Sequence, residues 1–380
     1  MKLWNPFRRE TRAEADPSWA ALGGGQSLAV SGQHVDAKAG ESLSAVFACV
    51  QALSESTATL PLHVYSRNAD GTRERADAHW LASLLRAPNA NQSGLSFRES
   101  MLATTLLHGN AFAKKITDGR GEVRELHPLH PQRVAVVKLA SGNYAFDISH
   151  EDGKQERLLA EEVFHLADRV EPGSILGRSR IAIARETLGL GLALREHGAS
   201  TFRLGARPSG VVESDAKLTT EQSQQVVEGI RKHHEGSMNS GRPLILGGGF
   251  KWKSLSMNLE DSQFVATSQL NTEQICAIFR VPPTLIGDLR HGNYSNTVEL
   301  SQQFIRYSLA RWIALMETEI SRQILGPIAR TRVYAEHSVD AMLRGTSAER
   351  ATFYETMIRA GVMLPDEARR LENLPPLPNS

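Results

Sequence analysis

Apolar positions fall on a helical period from Ser42 onward, where "SLSAVFACVQALSESTATLP" places Val46, Cys49, Val50, Leu53 and Leu60 on one face before Pro61 ends the run. "LHVYSRNADGTRER" then alternates and turns at Asp70-Gly71, which predicts a hairpin. "AHWLASLLRAPN" and "SFRESMLATTLLHGNAFAKKI" predict two more helices, the second closing near Gly109-Asn110. "EVREL", "RVAVVKL", "YAFDIS" and "EVFHL" read as short strands in succession. Helices and antiparallel strands in separate runs define an α+β class.

After "EPGSILGRS" the pattern changes. "SRIAIARETLGLGLALREHGASTFRLG" predicts one long helix, in which Gly189 and Gly191 would each cost about 1 kcal/mol against Ala. Small residues there point to a crowded helix–helix contact, for which a subunit interface is one candidate, or else to mere sequence drift. A strand, a helix capped by Thr219 or Thr220, and two strands around Gly247–Gly249 follow. "EDSQFVATSQLNTEQICAIFRV" predicts a second rod, with Ile275, Ile278 and Phe279 on one side. The strongest stripe is Ile305, Leu309, Trp312, Met316, Ile320 and Ile324, opened by an Asn296/Glu299 capping box and stopped at Gly326-Pro327. The end of the chain reads as two short helices and a proline-rich tail. Between the second rod and the stripe lies "VPPTLIGDLRHGNYSNT", Val281–Thr297. It is much longer than the two to eight residues that suffice to join helices, which predicts a loop with a task of its own.

A chain of 380 residues implies two or three compact units, and 41% hydrophobic with 22% charged residues is ordinary for a folded, soluble protein. No run approaches the roughly 18 apolar residues of a membrane span. The basic opening "MKLWNPFRRETRAEAD" has no apolar stretch behind it and is expected not to be a secretory signal. Two cysteines, Cys49 and Cys276, argue against a disulfide framework or thiolate cluster. With 43 basic and 42 acidic residues the formal charge is +1, which disfavours a static nucleic-acid binder and leaves room for a protein that DNA slides past.

Enzyme signatures fail on inspection. "GSMNSGRP" (Gly236–Pro243) has the glycine spacing of a phosphate loop but lacks its Lys and Ser/Thr, and Pro243 forbids the helix start. Gly247–Gly249 precedes a strand, so no helix dipole faces an anion. "HPLHP" (His127, His130) is broken by prolines, and His233 and His234 are adjacent, which puts them on different sides of a helix. Neither a zinc motif nor a nucleophile elbow occurs. No catalytic residue, metal or cofactor is expected.

"LSESTATLPLHVY", "LLRAPN", "LLHGNAFAK", "ELHPLHPQRV", "ARPSGVV", "FRVPPTLIGD", "NYSNTVE" and "AMLRGTSAERATFYETMIRAGVMLPDEARRLENLPPL" together resemble phage portal proteins of the HK97 type, known from tailed phages, prophages and gene transfer agents. The pieces occur in the family's order over about nine-tenths of the chain. The resemblance implies a homo-oligomeric ring, usually of twelve subunits, at one capsid vertex. Long helices would line an axial channel through which double-stranded DNA passes without sequence specificity. It implies a flexible N-terminal arm (1–40), an α/β wing (41–178), a first stem helix (179–206), a small α/β clip (207–258) and a second stem helix (259–281). A tunnel loop (282–297), the wing helix with the segment after it (298–337) and a helical crown and tail (338–380) would complete the portal fold.

The same resemblance places Asp288, Leu289, Arg290, His291, Gly292, Asn293 and Tyr294 near the DNA, with Gly287 and Gly292 as hinges. The alternative is a loop docked on its own subunit. In the clip, Lys217, Arg231, Lys232, Arg242, Lys251 and Lys253 stand against Glu213, Asp215, Glu221, Glu228 and Glu235. That balance suits charge-matched partner contacts, with Lys217, Glu221, Glu228, Arg231, Lys232 and Arg242 as candidates, and equally a solvated surface. The partners implied are the major capsid protein, the terminase large subunit and a head–tail adaptor, with no membrane. The location implied is the virion's capsid vertex, reached from the bacterial host cytoplasm during assembly. The rival readings are a packaging enzyme, or a head–tail adaptor or minor virion protein that forms no channel.

Overall fold

The computed structural model describes residues 28–203, 210–214, 250–254, 259–291, 302–339 and 347–372, together with a few single positions. Helix α1 (Ala37–Glu41) is capped by Asp36, whose carboxylate accepts from Ala39 N–H at 2.7 Å, and leads into α2 (Ser44–Thr59). The helical face read from the sequence is the buried one: Val46, Cys49, Val50 and Leu53. Strands β1 (Leu62–Arg67) and β2 (Arg73–Arg75) form the expected hairpin, with Gly71 at φ 85 in its turn. Helices α3 (Trp80–Arg86) and α4 (Gly94–His108) follow, and Ser93 caps α4 through Ser96 N–H.

Helix α4 stops at Gly109, as its sequence predicts, and for a reason visible only in space. Gly109 adopts φ +80, and a Cβ there would lie 2.6 Å from the backbone of Arg178 and Ser179. Beyond it runs a strand that the periodicity did not reveal, β3 (Asn110–Thr117). It is the middle of a sheet ordered β4-β3-β8, with β4 Val123–Leu129 and β8 Val163–Ala167. Its first four residues are buried whichever way they point, so no alternation marks it. A second sheet, β5-β6-β7, comprises Val134–Lys138, Tyr144–Ser149 and Gln155–Leu159, the last also unforeseen.

The predicted first rod is one turn, α5 (Arg180–Ile183), a break at Ala184, and then α6 (Arg185–Arg203). The second is α7 (Leu259–Phe279). The apolar stripe is carried by a π-helical turn, Phe304–Leu309, continuing as α8 (Ala310–Gln323), so the expectation of a plain α-helix is corrected over its first third. A short helix, α9 (Ala329–Arg332), leads to β11 (Val333–His337), which pairs antiparallel with β1 from Leu62↔His337 to Ser66↔Val333. The C-terminal helices α10 (Ser347–Arg359) and α11 (Pro365–Leu371) are joined by Tyr354 O–H donating to Glu372 at 2.9 Å.

Two large apolar clusters hold this frame. One joins α2, α4, the rods and the start of the stripe (Val46, Cys49, Leu188, Ile275, Phe279, Trp312). The other joins α3, α4, the first sheet and the rest of the stripe (Leu81, Met101, Phe164, Met316, Ile320, Ile324). Residues 302–337 therefore share a core with residues 43–166 despite their distance in sequence.

Part of the expected flexible arm is ordered. Leu28 bridges His34, Ala29 and Val35 are buried, and Val30 N–H donates to Glu186 at 2.9 Å. A Cβ on Gly189 would sit 2.4 Å from that of Ala29, so this glycine admits the segment against α6. The Asn296/Glu299 capping box lies outside the described residues.

Candidate functional site

The two rods run antiparallel, because Thr187 and Gly191 meet Asn271 while His197 and Gly198 meet Phe264 further along. Asn271 is buried; its amide donates to the Thr187 carbonyl at 2.7 Å, and its Oδ1 lies where a Gly191 Cβ would be, at 2.6 Å. The crowded helix–helix contact expected from the small residues is thus present, between the two rods of one chain. Helices of 19 and 21 residues make rods about 30 Å long. The loop Val281–Thr297 leaves one end of the pair, and the segment holding β9 (Gly210–Ser214) and β10 (Phe250–Ser254), which pair antiparallel, leaves the other.

At the loop end α7 packs Ile275, Cys276 and Phe279 into the first core cluster. Cys276 lies beside Cys49; that neighbouring thiol, and burial, push the Cys49 pKa well up, while the hydrogen bond with Cys49 draws that of Cys276 down. The helix ends at Arg280 with φ 59, and the Arg280 carbonyl accepts the Ser308 hydroxyl from the π-helical turn. Val281 is buried and anchors the start of the loop. The two prolines open a 3₁₀ turn, Pro283–Ile286, closed by Gly287 at φ 89.

Of the seven predicted loop residues, the structure brings two together. The Asp288 carboxylate accepts Arg290 Nε–H at 2.7 Å and a second guanidinium N–H, and Glu273 on α7 lies 3.8 Å from the same guanidinium. Asp288 thereby holds Arg290 above its ordinary pKa, firmly cationic. Leu289 is exposed between them, and Leu289–His291 forms another 3₁₀ turn. Gly292, Asn293 and Tyr294 lie outside the described residues. Among the clip candidates, Glu221 and Glu228 lie with Gln224 at i, i+3 and i+7 on one exposed helical face. Lys217, Arg231, Lys232 and Arg242 lie outside the described residues.

Sequence reasoning missed a charged cluster behind the loop. Asp168, 3% exposed, accepts Arg180 Nε–H at 2.7 Å and Arg311 at 2.8 Å, and Arg180 also donates to the Ile278 carbonyl at 2.9 Å. Both guanidiniums lie over the Trp312 ring, at 5.1 Å for Arg180 and 4.5 Å for Arg311. No local motif marks these residues, since each comes from a different element. Of the histidines singled out, His127 pairs with Glu125 at 2.7 Å and His130 caps a turn. Among the described residues no cluster of His, Cys, Asp or Glu could hold a metal ion, and no helix is long and apolar enough to cross a membrane.

Paired rods, an α+β body around them, an antiparallel strand pair at one end and a latched loop at the other make up the described architecture. The phage portal protein model matches residues 44–373, and the chain belongs to that family. It is 31% identical over 340 residues to the portal protein of Enterobacteria phage HK97, spanning 88% of this chain and 80% of the relative. To the probable portal protein of Streptomyces phage phiC31 it is 31% identical over 392 residues, covering 100% of this chain and 82% of that one. Among solved structures, a chain in the virion of a native gene transfer agent particle superposes with TM-score 0.63 at 25% identity, over 90% and 92% of the two chains. A chain in the neck of that native particle, computed with C12 symmetry, gives TM-score 0.61 at 26% identity, over 90% and 92%. The chain is thus a structural, non-catalytic virion component with the portal's part as connector of head and tail and passage for DNA.

Proposed function

We propose that copies of this chain close head-to-tail into a ring of twelve whose bore is walled by the rods and narrowed by the loop 282–297. Asp288 through Tyr294 face the passing DNA, with Gly287 and Gly292 as hinges. Residues 41–178 together with 298–337 form the wing, 179–206 and 259–281 the stem, 207–258 the clip and 338–380 the crown. The clip, through Lys217, Glu221, Glu228, Arg231, Lys232 and Arg242, docks the terminase large subunit and later the head–tail adaptor. The ring sits in the major capsid protein shell, after assembly in the host cytoplasm. DNA moves by a separate ATPase, and the wall touches it through weak, averaged contacts rather than base readout.

One observation carries this reading: antiparallel rods with the loop at one end and the segment holding the β9–β10 pair at the other. A ring built on such rods presents both ends along one axis. The relative in a particle neck computed with C12 symmetry supports the number. Replacing Asp288–Tyr294 by a short Gly-Ser linker is expected to leave rings intact under negative stain while genome packaging or retention fails. Particles that fill and hold DNA normally would refute the loop's role. A chain that stays monomeric at every concentration would refute the ring and favour an adaptor without a channel.

A further inference from the structure

Behind the loop, a cleft of about 500 Å³ opens between the start of the first rod, the end of the second and α8. Arg169, Arg178, Arg180, Arg280 and Arg311 all line it, against one lining carboxylate, Asp168. Such a concentration stands out in a chain whose formal charge is only +1. Asp168 spends both oxygens on Arg180 and Arg311, and Arg178 is paired with Glu171 at 2.9 Å. Arg169 and Arg280 are exposed and have no acidic partner among the described residues.

The backbone bears on the same point. Arg280 is the single non-glycine residue with positive φ among the described residues, in a conformation that glycine adopts without strain. It is held there by Ser308, and the helix opposite is wound as a π turn, a distortion that recurs at functional sites. A glycine would serve the turn better and would remove the guanidinium from the cleft. Charge then selects the ligand. A carboxylate brings one negative charge, whereas a phosphate group brings about 1.5 to 2 and consecutive phosphates bring more. Guanidinium forks match phosphate oxygens two at a time.

We infer that this cleft binds a phosphate-rich anion, gripped by Arg169 and Arg280, while Asp168 fixes Arg180 and Arg311 as its rear wall. The anion is a run of phosphates, supplied by a nucleic-acid backbone or by free polyphosphate. The site is complete in a single chain and goes beyond the ring reading, so either can fail alone.

The probe is inorganic tripolyphosphate, titrated calorimetrically into the full chain at about 0.05 M and about 0.5 M salt. Saturable binding that weakens with salt is expected, and Arg169→Ala with Arg280→Gly should weaken it about tenfold or more. Arg280→Gly alone should keep or raise Tm, which separates lost binding from lost folding. A control with the same charge change, Arg330→Ala with Arg332→Ala on α9, should bind as the parent does. Displacement by a short DNA duplex assigns the anion to a nucleic-acid backbone; persistence of binding assigns it to free polyphosphate. No saturable binding, equal weakening in the control, or displacement by polyglutamate alone would overturn the inference, the last in favour of an acidic protein partner.

Discussion

His165 shows how one side chain can tie folding to pH. Its ring stacks on Phe112 at 4.5 Å, its backbone N–H donates to Gln323 Oε1 at 2.8 Å, and its Nε2 lies 3.0 Å from Asn110 Oδ1. Because that oxygen also accepts Gly177 N–H while Asn110 Nδ2 donates to the Gly177 carbonyl, Nε2 of the imidazole carries a proton and donates it to Asn110. Burial pushes its pKa down to about 3. The unfolded chain takes up a second ring proton below about 6.5 while the folded one refuses it, so stability is whole above that pH and falls as pH drops toward 3. Between pH 7 and pH 5 the loss from this residue is about 1–2 kcal/mol, read as a lower urea midpoint, and His165→Gln should remove that slope. Gly191 poses a different balance. Gly191→Ala would gain about 1 kcal/mol of helix propensity. Its methyl would meet Asn271 Oδ1 at 2.6 Å, an overpacking that costs about 1–3 kcal/mol, so a lower Tm is expected. From sequence, Gly191 reads as a packing glycine, but its partner is unreadable because Asn271 lies on another helix.

Among the elements, the apolar stripe was legible because one face of a single helix carries it, and every member but the half-buried Ile305 is buried. Its π-helical opening was not legible, since it arises where Ser308 must reach the Arg280 carbonyl across a separate loop. Trp312 is the stripe's keystone, buried in the first core cluster with two guanidiniums over its ring. Trp312→Ala is expected to cost about 3–5 kcal/mol and to abolish folding or assembly rather than DNA passage. Soluble subunits that still make normal rings would contradict it. Strand β11 escaped notice for a related reason: "VYAEH" is too short to show a period, and it is a strand because β1 offers it an edge.

At the scale of the whole molecule, the chain folds back on itself so that residues 302–337 close the body that residues 43–166 begin. The loop end of the rods rests on the core and on the Asp288–Arg290–Glu273 ion pairs, which give it a firm root while leaving Leu289 exposed. Arg290→Ala is therefore expected to loosen the root without opening the rods. Protease cleavage within 288–291 should rise several-fold while the Tm stays within about 2 °C of the parent, since exposed ion pairs add little to stability.

Period and punctuation carried most of the elements, because helix faces, caps and turns are local consequences of side-chain spacing and of Gly, Pro and Ser. The ordered set of short motifs carried the family. Long-range juxtaposition lay beyond both. The glycines against Ala29 and Asn271, the left-handed Arg280 held by Ser308 and the arginines gathered on Asp168 join residues from separate elements. Their energies depend on distances that exist only once the chain has folded, which is why no spacing along the chain announces them.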